Sequence, residues 1–260
     1  MKISPLVLLV FTVLGCDSST QPAKPSAGSG GKQAQPQKVA PPEKQAEKTP
    51  AAPKEKRENE TVAPEVTVRV AKLIEDLNDK DLTVRRSAAV ALGEIGPAAK
   101  DSVPALIEVL KDKDGNVRGF ASFALGLIGP AAIPALIEAL KDKEPIVRSR
   151  ASFALGRIGP AAKDAVPALI EALNDKDIAV RRGAAVALGR IGPVAKDAVS
   201  ALIEALKDKE TSVRSVAATA LGEIGPVAKD AVPALKAMSE KDPEASVRRG
   251  AAKALKSINK

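Results

Sequence analysis

Residues Asp164 to Gly192 read DAVPALIEALNDKDIAVRRGAAVALGRIG. Two apolar stripes in this stretch are joined by a short polar turn. In the first, Val166, Leu169, Ile170 and Leu173 recur at spacings of three and four, which predicts a helix over 165–174 with one buried face. The second follows the pattern Val-Arg-x-x-Ala-Ala-x-Ala-Leu-Gly-x-Ile and predicts a helix over 178–191. Between them lies Asp175-Lys176-Asp177, and the unit stops at Gly192-Pro193, a pair that neither continues a helix nor resists a left-handed turn.

The same unit recurs along the chain. Its Val-Arg dipeptide stands at Val84-Arg85, Val117-Arg118, Val147-Arg148, Val180-Arg181, Val213-Arg214 and Val247-Arg248, at successive steps of 33, 30, 33, 33 and 34 residues. Regular self-similarity at about 33 residues means a stacked array in which each unit packs on its neighbours, not a domain around one central pocket. The fold expected is therefore all-α, a right-handed α-solenoid of about six two-helix repeats over 65–260.

Local signals refine the unit. Asp101, Asp164, Asp197 and Asp230 stand where N-caps of the first helices are expected, with Pro104, Pro167 and Pro233 in the first turn. The third unit passes from Ala132 straight to Ile133-Pro134, three residues short of the others. Its first helix is expected to be shortened at the start, with a bend of the superhelix there. At the end of the array, Lys253, Lys256 and Asn259 stand at positions that are mostly apolar or glycine in the other units, as expected of a capping repeat.

On these residues the array resembles HEAT-like repeats of the phycobilisome-lyase type, and it is also similar to the consensus of designed helical-repeat binders. The resemblance covers about 195 residues. It implies an Asp–Arg ladder between neighbouring units, here Asp79/Arg85, Asp112/Arg118, Asp142/Arg148, Asp175/Arg181, Asp208/Arg214 and Asp242/Arg248, each six residues apart. It also implies that second helices line a concave face on which partners bind. A column of phosphate-binding arginines is the alternative to a structural ladder.

Projected at 100° per residue, the second helix of the first unit puts Val84, Ala88, Ala91, Leu92 and Ile95 on one side, and Thr83, Arg86, Ser87, Val90 and Glu94 on the other. The outward columns are where the units differ. The second unit carries Asn116, Phe120, Phe123 and Leu127 there, and the third carries Ile146, Arg150, Phe153 and Arg157. Arg182, Val186 and Arg190 extend the patch. Three of the four phenylalanines fall in it, and there is no Trp or Tyr. An apolar centre with an arginine rim suits an acidic-hydrophobic protein or peptide. The alternative is that Phe123 and Phe153 pack against each other or against the next first helix.

The N-terminus has its own pattern. Lys2 precedes an apolar run at 6–14, too short for a membrane span, and the run ends in Val13-Leu14-Gly15-Cys16 with the only cysteine of the chain. This resembles the lipobox of exported bacterial lipoproteins, which implies a signal peptide over 1–15, lipidation of Cys16 and a place in the cell envelope. An ordinary secretory signal or a buried start helix is the alternative. Residues 16–64 are dominated by Ala, Pro, Lys, Gln, Ser and Glu without apolar periodicity, the composition of a disordered tether.

Composition narrows the chemistry. The chain has no histidine, which removes Ser-His and Cys-His nucleophiles, His-based zinc sites and facial-triad iron. Some enzymes built from such repeats hold iron through His-Glu motifs, and no position here can supply them. Asp112-Lys113-Asp114-Gly115-Asn116 looks like the start of a calcium loop, but Phe123 occupies its twelfth position and the Asp-x-Asp pattern recurs in other turns. It is read as a turn and cap. No enzyme activity, cofactor or metal is expected. The partner expected is a protein or peptide, with the membrane reached through a lipid on Cys16. With a net charge of +8, nucleic-acid or polyanion binding along the concave arginines is the second reading.

Overall fold

The structure, a computed structural model, describes residues 64–260. The signal peptide expected over 1–15, Cys16, and all but the last residue of the tether expected over 16–64 lie outside the described residues. Within them run six helical pairs: α1 (Pro64–Asp76) with α2 (Leu82–Ile95), α3 (Val103–Val109) with α4 (Gly115–Ile128), α5 (Ile133–Ala139) with α6 (Pro145–Ile158), α7 (Val166–Ala172) with α8 (Ile178–Ile191), α9 (Val199–Ala205) with α10 (Thr211–Ile224), and α11 (Val232–Lys241) with α12 (Ala245–Ile258). No strand occurs among the described residues.

All six second helices are 14 residues long, and local chemistry fixes both ends. At the start, Asp81, Asp114 and Asp177 accept backbone N–H groups of the first turn, as in Asp114 Oδ1 to Asn116 and Val117 at 2.9 and 3.0 Å. The Asp two positions earlier folds the turn itself: Asp112 Oδ1 accepts the N–H of Asp114 at 2.8 Å. This is the turn and cap expected of the Asp-Lys-Asp segment. At the other end, Gly96, Gly129, Gly159, Gly192 and Gly225 take φ of +66 to +81°, a conformation a Cβ would strain.

Two expectations are corrected at the first helices. Asp101, Asp164, Asp197 and Asp230 are not N-caps. They lie inside short 3-10 connectors, Gly96–Ser102, Gly159–Ala165, Gly192–Ala198 and Gly225–Ala231, and the helices that follow have no side-chain cap. The connector makes the cap unnecessary, because its own turns feed the chain into the helix already in right-handed helical geometry. The three-residue shortening of the third unit also falls here. Its connector, Gly129–Ala132, has four residues where the others have seven, while α5 keeps the seven residues of α3, α7 and α9.

The second helices pack side by side in the order α2, α4, α6, α8, α10, α12, and each first helix lies against its own second helix. Alanines allow the close approach. Ala88, Ala121, Ala151, Ala184, Ala217 and Ala251 are fully buried, with Val117, Val147, Val180, Val213 and Val247 beside them. Leucines of both layers, such as Leu106, Leu136, Leu169 and Leu202 from the first helices and Leu92, Leu125, Leu155 and Leu188 from the second, fill the space between. The stretch Gly115–Ala139 is apolar enough to cross a membrane by composition, but it is two helices and a connector, and side chains such as Val117, Leu125, Ile128 and Leu136 belong to this shared core.

Candidate functional site

Two arrays of arginines differ in what they face. The first runs along the inter-helix turns. Arg85 donates from Nε to Asp112 Oδ2 at 2.7 Å and from Nη2 to Asp112 Oδ1 at 3.3 Å. Arg148 holds Asp175, Arg181 holds Asp208 and Arg214 holds Asp242 in the same bidentate manner, with Nε distances of 2.7, 2.7 and 2.8 Å. Nη1 of each arginine turns back to backbone carbonyls of its own turn, such as those of Asp142 and Lys143 for Arg148.

The ladder is thus present with a different pairing from the one expected. The Asp six residues earlier contributes only its carbonyl oxygen, and the carboxylate comes from the next unit, 27 or 28 residues ahead. Geometry explains this. A guanidinium fork needs a carboxylate in its plane, and the same-unit Asp has its carboxylate turned into its own loop, where Asp175 accepts the N–H of Asp177. The pairs are largely buried, and the charge partner shows in the ionisation. The hydrogen bond from Arg148 holds the Asp175 carboxyl below the usual carboxylate range, and Arg214 does the same to Asp242.

One rung is missing. Arg118 keeps its two backbone carbonyls, of Asp112 and Lys113 at 2.6 and 3.1 Å, but has no carboxylate. Its Nε is shut from solvent without a partner. Asp142, which sequence position would place opposite it, pairs with Lys111 at 3.0 Å instead. The shortened connector Gly129–Ala132 lies between the two units concerned. Arg248, in the last unit, likewise keeps only carbonyl contacts, to Asp242 and Pro243.

The second array lies on the second helices, where the structure brings two pairs of the predicted patch together, Arg157 with Phe123 and Arg190 with Phe153. Phe123 and Phe153 are half-buried, and an arginine from the following unit lies near each ring. Arg157 stands 3.7 Å above the centroid of Phe123, and Arg190 lies 5.8 Å from that of Phe153. Phe120 and Ile146 are half-buried against the core, and Leu127 is exposed, as are Arg182 and Arg190, with Val186 half-buried between them.

No ion pair among the described residues involves Arg150, Arg157, Arg182 or Arg190. Burial lowers the pKa of Arg157, and neighbouring Arg190 lowers it further; Arg150 is lowered by burial and by Arg118. Several cations are therefore held close together without counter-charge. Such an arrangement can accept anions and apolar groups, and offers no nucleophile with a base beside it.

Sequence reasoning missed the glycines that build this face. A Cβ on Gly126 would lie 2.7 Å from Cβ of Arg157 and 3.2 Å from its Nε. The bare glycine is a shelf on which the next unit's arginine lies before it reaches Phe123. Gly189 serves Glu223 in the same way, whereas Gly93 and Gly156 chiefly admit the backbone of the next second helix, at Ala124 Cα and Ala187 Cα, 3.2 and 3.0 Å from where a Cβ would stand. Their signal is the Leu-Gly pair present in five units and replaced by Leu255-Lys256 in the sixth.

Cavities are shallow and lie elsewhere. Clefts of 440 and 620 Å³ run along the ladder edge, lined by residues such as Arg181, Asp208, Arg148 and Asp175 that are already paired. Among the described residues no group of three or more Cys, Asp and Glu side chains could hold a metal ion.

Comparison with known proteins agrees with the architecture. The HEAT-repeat family model matches residues 70–144, 133–208 and 194–256. Among solved structures, an engineered protein is 27% identical, covering 74% of this chain and 96% of its own, with a TM-score of 0.50. The complex of CpcE and CpcF of phycocyanin lyase from Nostoc sp. PCC7120 is 27% identical over 59% of this chain and 98% of that one, with a TM-score of 0.54. No curated protein sequence matches. The paired helices, the ladder between units and the match across 70–256 together mean that the chain belongs to the HEAT-repeat family.

Proposed function

We propose that the chain is a membrane-tethered scaffold that docks an acidic, partly apolar protein segment on the concave face of a right-handed HEAT solenoid. A lipid on Cys16 anchors it in the cell envelope, 16–64 acts as the tether, and the array catalyses nothing itself. The observation that carries the docking reading is that Arg157 lies over the ring of Phe123 and Arg190 near that of Phe153, and neither arginine has an ion pair among the described residues. HEAT repeats are commonly protein-binding modules, and one similar solved structure is a complex of two chains, CpcE with CpcF.

The lipid reading rests on Lys2, the short apolar run and Cys16. Two or more acyl chains on one cysteine give stable anchoring where a single chain is marginal. Mass spectrometry of the N-terminal peptide from membrane-extracted protein, beside a Cys16→Ser variant, tests it. A lipidated Cys16 is expected, and an intact, unmodified N-terminus in the soluble fraction would overturn it. Cross-linking on the same membranes then tests docking: the expected product is a protein joined at the Phe123 face, and cross-links only to nucleic acid would replace this reading.

A further inference from the structure

The residues that follow the five Leu-Gly pairs, Glu94, Leu127, Arg157, Arg190 and Glu223, occupy one position in five successive second helices. The structure joins them into a column, because each side chain lies beside the glycine of the unit before it. A Cβ on Gly93 would lie 3.4 Å from Leu127 Cδ1, one on Gly126 2.7 Å from Arg157 Cβ, and one on Gly156 3.5 Å from Arg190 Cδ; one on Gly189 would meet Glu223 Oε2. Glu94, Leu127, Arg190 and Glu223 are exposed, and Arg157 is half-buried. Arg157 has its Nε closed off from solvent, so it offers its two Nη groups. None of the four charged members has an ion pair among the described residues.

From the first unit to the fifth the column runs negative, apolar, positive, positive, negative. Adjacent packed helices stand about 8–10 Å apart, which sets the step between its members. An extended chain of polyproline II geometry rises about 3.1 Å per residue and returns to the same face every third residue, a step of about 9 Å. A β-strand returns every second residue, at about 6.7 Å, and falls short of that step. A helix matches it only at about every seventh residue and needs an apolar groove. Phe123 and Phe153, beside the column, are half-buried with Arg157 and Arg190 near their rings, so a charged strip stands where such a groove would be.

We infer that the docked segment lies along this column as an extended chain whose every third residue opposes it: basic, apolar, acidic, acidic, basic, from Glu94 to Glu223. This rests on the docking reading and specifies its ligand. The acidic pair faces Arg157 and Arg190, and the apolar residue meets Leu127. A uniformly acidic segment is rejected, because Glu94 and Glu223 repel it at both ends.

The test uses the full chain and the fluorescein-labelled peptide Lys-Pro-Pro-Leu-Pro-Pro-Glu-Pro-Pro-Glu-Pro-Pro-Lys, made in both chain directions and followed by anisotropy at low salt. An inverted peptide exchanges every Lys with Glu at the same net side-chain charge. The better direction of the first peptide should bind about tenfold or more tighter than the inverted one, since each like-charge contact opposes docking. Arg190→Glu should weaken the first peptide about fivefold, with helicity unchanged by circular dichroism. Placing Lys at the peptide glutamate farther from the leucine should recover most of that loss, a rescue that a merely structural effect of the variant would not give. Equal affinity for the ordered and inverted peptides would overturn the column. So would binding of neither in a chain whose Phe123 face still cross-links to a membrane protein, and the docking reading would then stand alone. Ordered binding in a chain that cross-links to no protein would keep the column and remove the scaffold.

Discussion

Arg148 donates both Nε and Nη2 to the carboxylate of Asp175, at 2.7 and 2.8 Å, and so ties one unit to the next across 27 residues of chain. In an array whose units touch only their neighbours, stability is approximately a sum of unit and interface contributions. Each rung is therefore a local clamp on one interface. Arg118, one unit earlier, offers a natural comparison, since it lacks the carboxylate.

Arg148→Met should destabilise the array by about 2 kcal/mol, because it leaves Asp175 and the carbonyls of Asp142 and Lys143 without their charged donor. Arg118→Met should cost less than half as much, since it forfeits only carbonyl contacts and relieves repulsion with Arg150. Urea unfolding of the two variants checks the order. A larger loss at Arg118 would mean that its interface is clamped by something other than the ladder.

The ladder should also set the acid limit. In Asp175 and Asp242 the folded carboxyls titrate below their ordinary value of 3.8, chiefly because of Arg148 and Arg214. The folded state therefore binds fewer protons than the unfolded one near that pH. The stabilisation is full above about pH 4 and is lost as the pH falls through the folded values. The melting temperature should be flat from about pH 5 upward and drop below about pH 4, with a shallower drop in Arg148→Met. An identical acid profile in that variant would separate acid unfolding from the rung.

Much of this was legible in the sequence, and the failures share a cause. The Val-Arg anchors located all six second helices and the Gly-Pro stops the ends of the first five, because a helix of 14 residues with an apolar stripe and a glycine stop has few other readings. The outward columns were also legible, since the projection placed Phe123 and Arg157 on one side. What failed was anything requiring the offset between units. Asp79 and Arg85 are six residues apart and look paired, but the carboxylate that Arg85 takes is that of Asp112, and only stacking reveals which unit supplies it. Asp164 looks like a cap because it precedes an apolar stripe, yet the intervening segment is already a 3-10 helix. The missing Arg118 rung likewise needed the offset, although the step of 30 residues announced it.

Glycine substitutions should have opposite signs at two positions on neighbouring helices. Gly250, within α12, has open space where a Cβ would stand, so Gly250→Ala should stabilise by about 0.5–1 kcal/mol through helix propensity alone. Gly222 faces the backbone of α12: its Cβ would lie 2.9 Å from Cα of Ala254. Gly222→Ala gains the same propensity but forces the two helices apart, and should destabilise by about 1–3 kcal/mol. Thermal unfolding of both variants decides it. Equal stabilisation by the two would show that the last interface is loose.

Phe123→Glu tests the face with the least risk to the fold. The ring is half-buried beneath Arg157 and belongs to the outward surface, so no core cavity opens when it is replaced. The variant loses a cation–π contact of about 0.5–1 kcal/mol and gains an ion pair with Arg157 of similar size. Its melting temperature should therefore stay within a few degrees of wild type. Binding should respond far more strongly. The new carboxylate fills from within the cationic site that a partner's acidic group would occupy, and the apolar anchor beside it is gone. Cross-linking of the partner should fall at least tenfold while circular dichroism is unchanged. Retained cross-linking in a folded variant would move the docking surface away from Phe123, to the ladder edge or the opposite layer, and with it the acidic character argued for the partner.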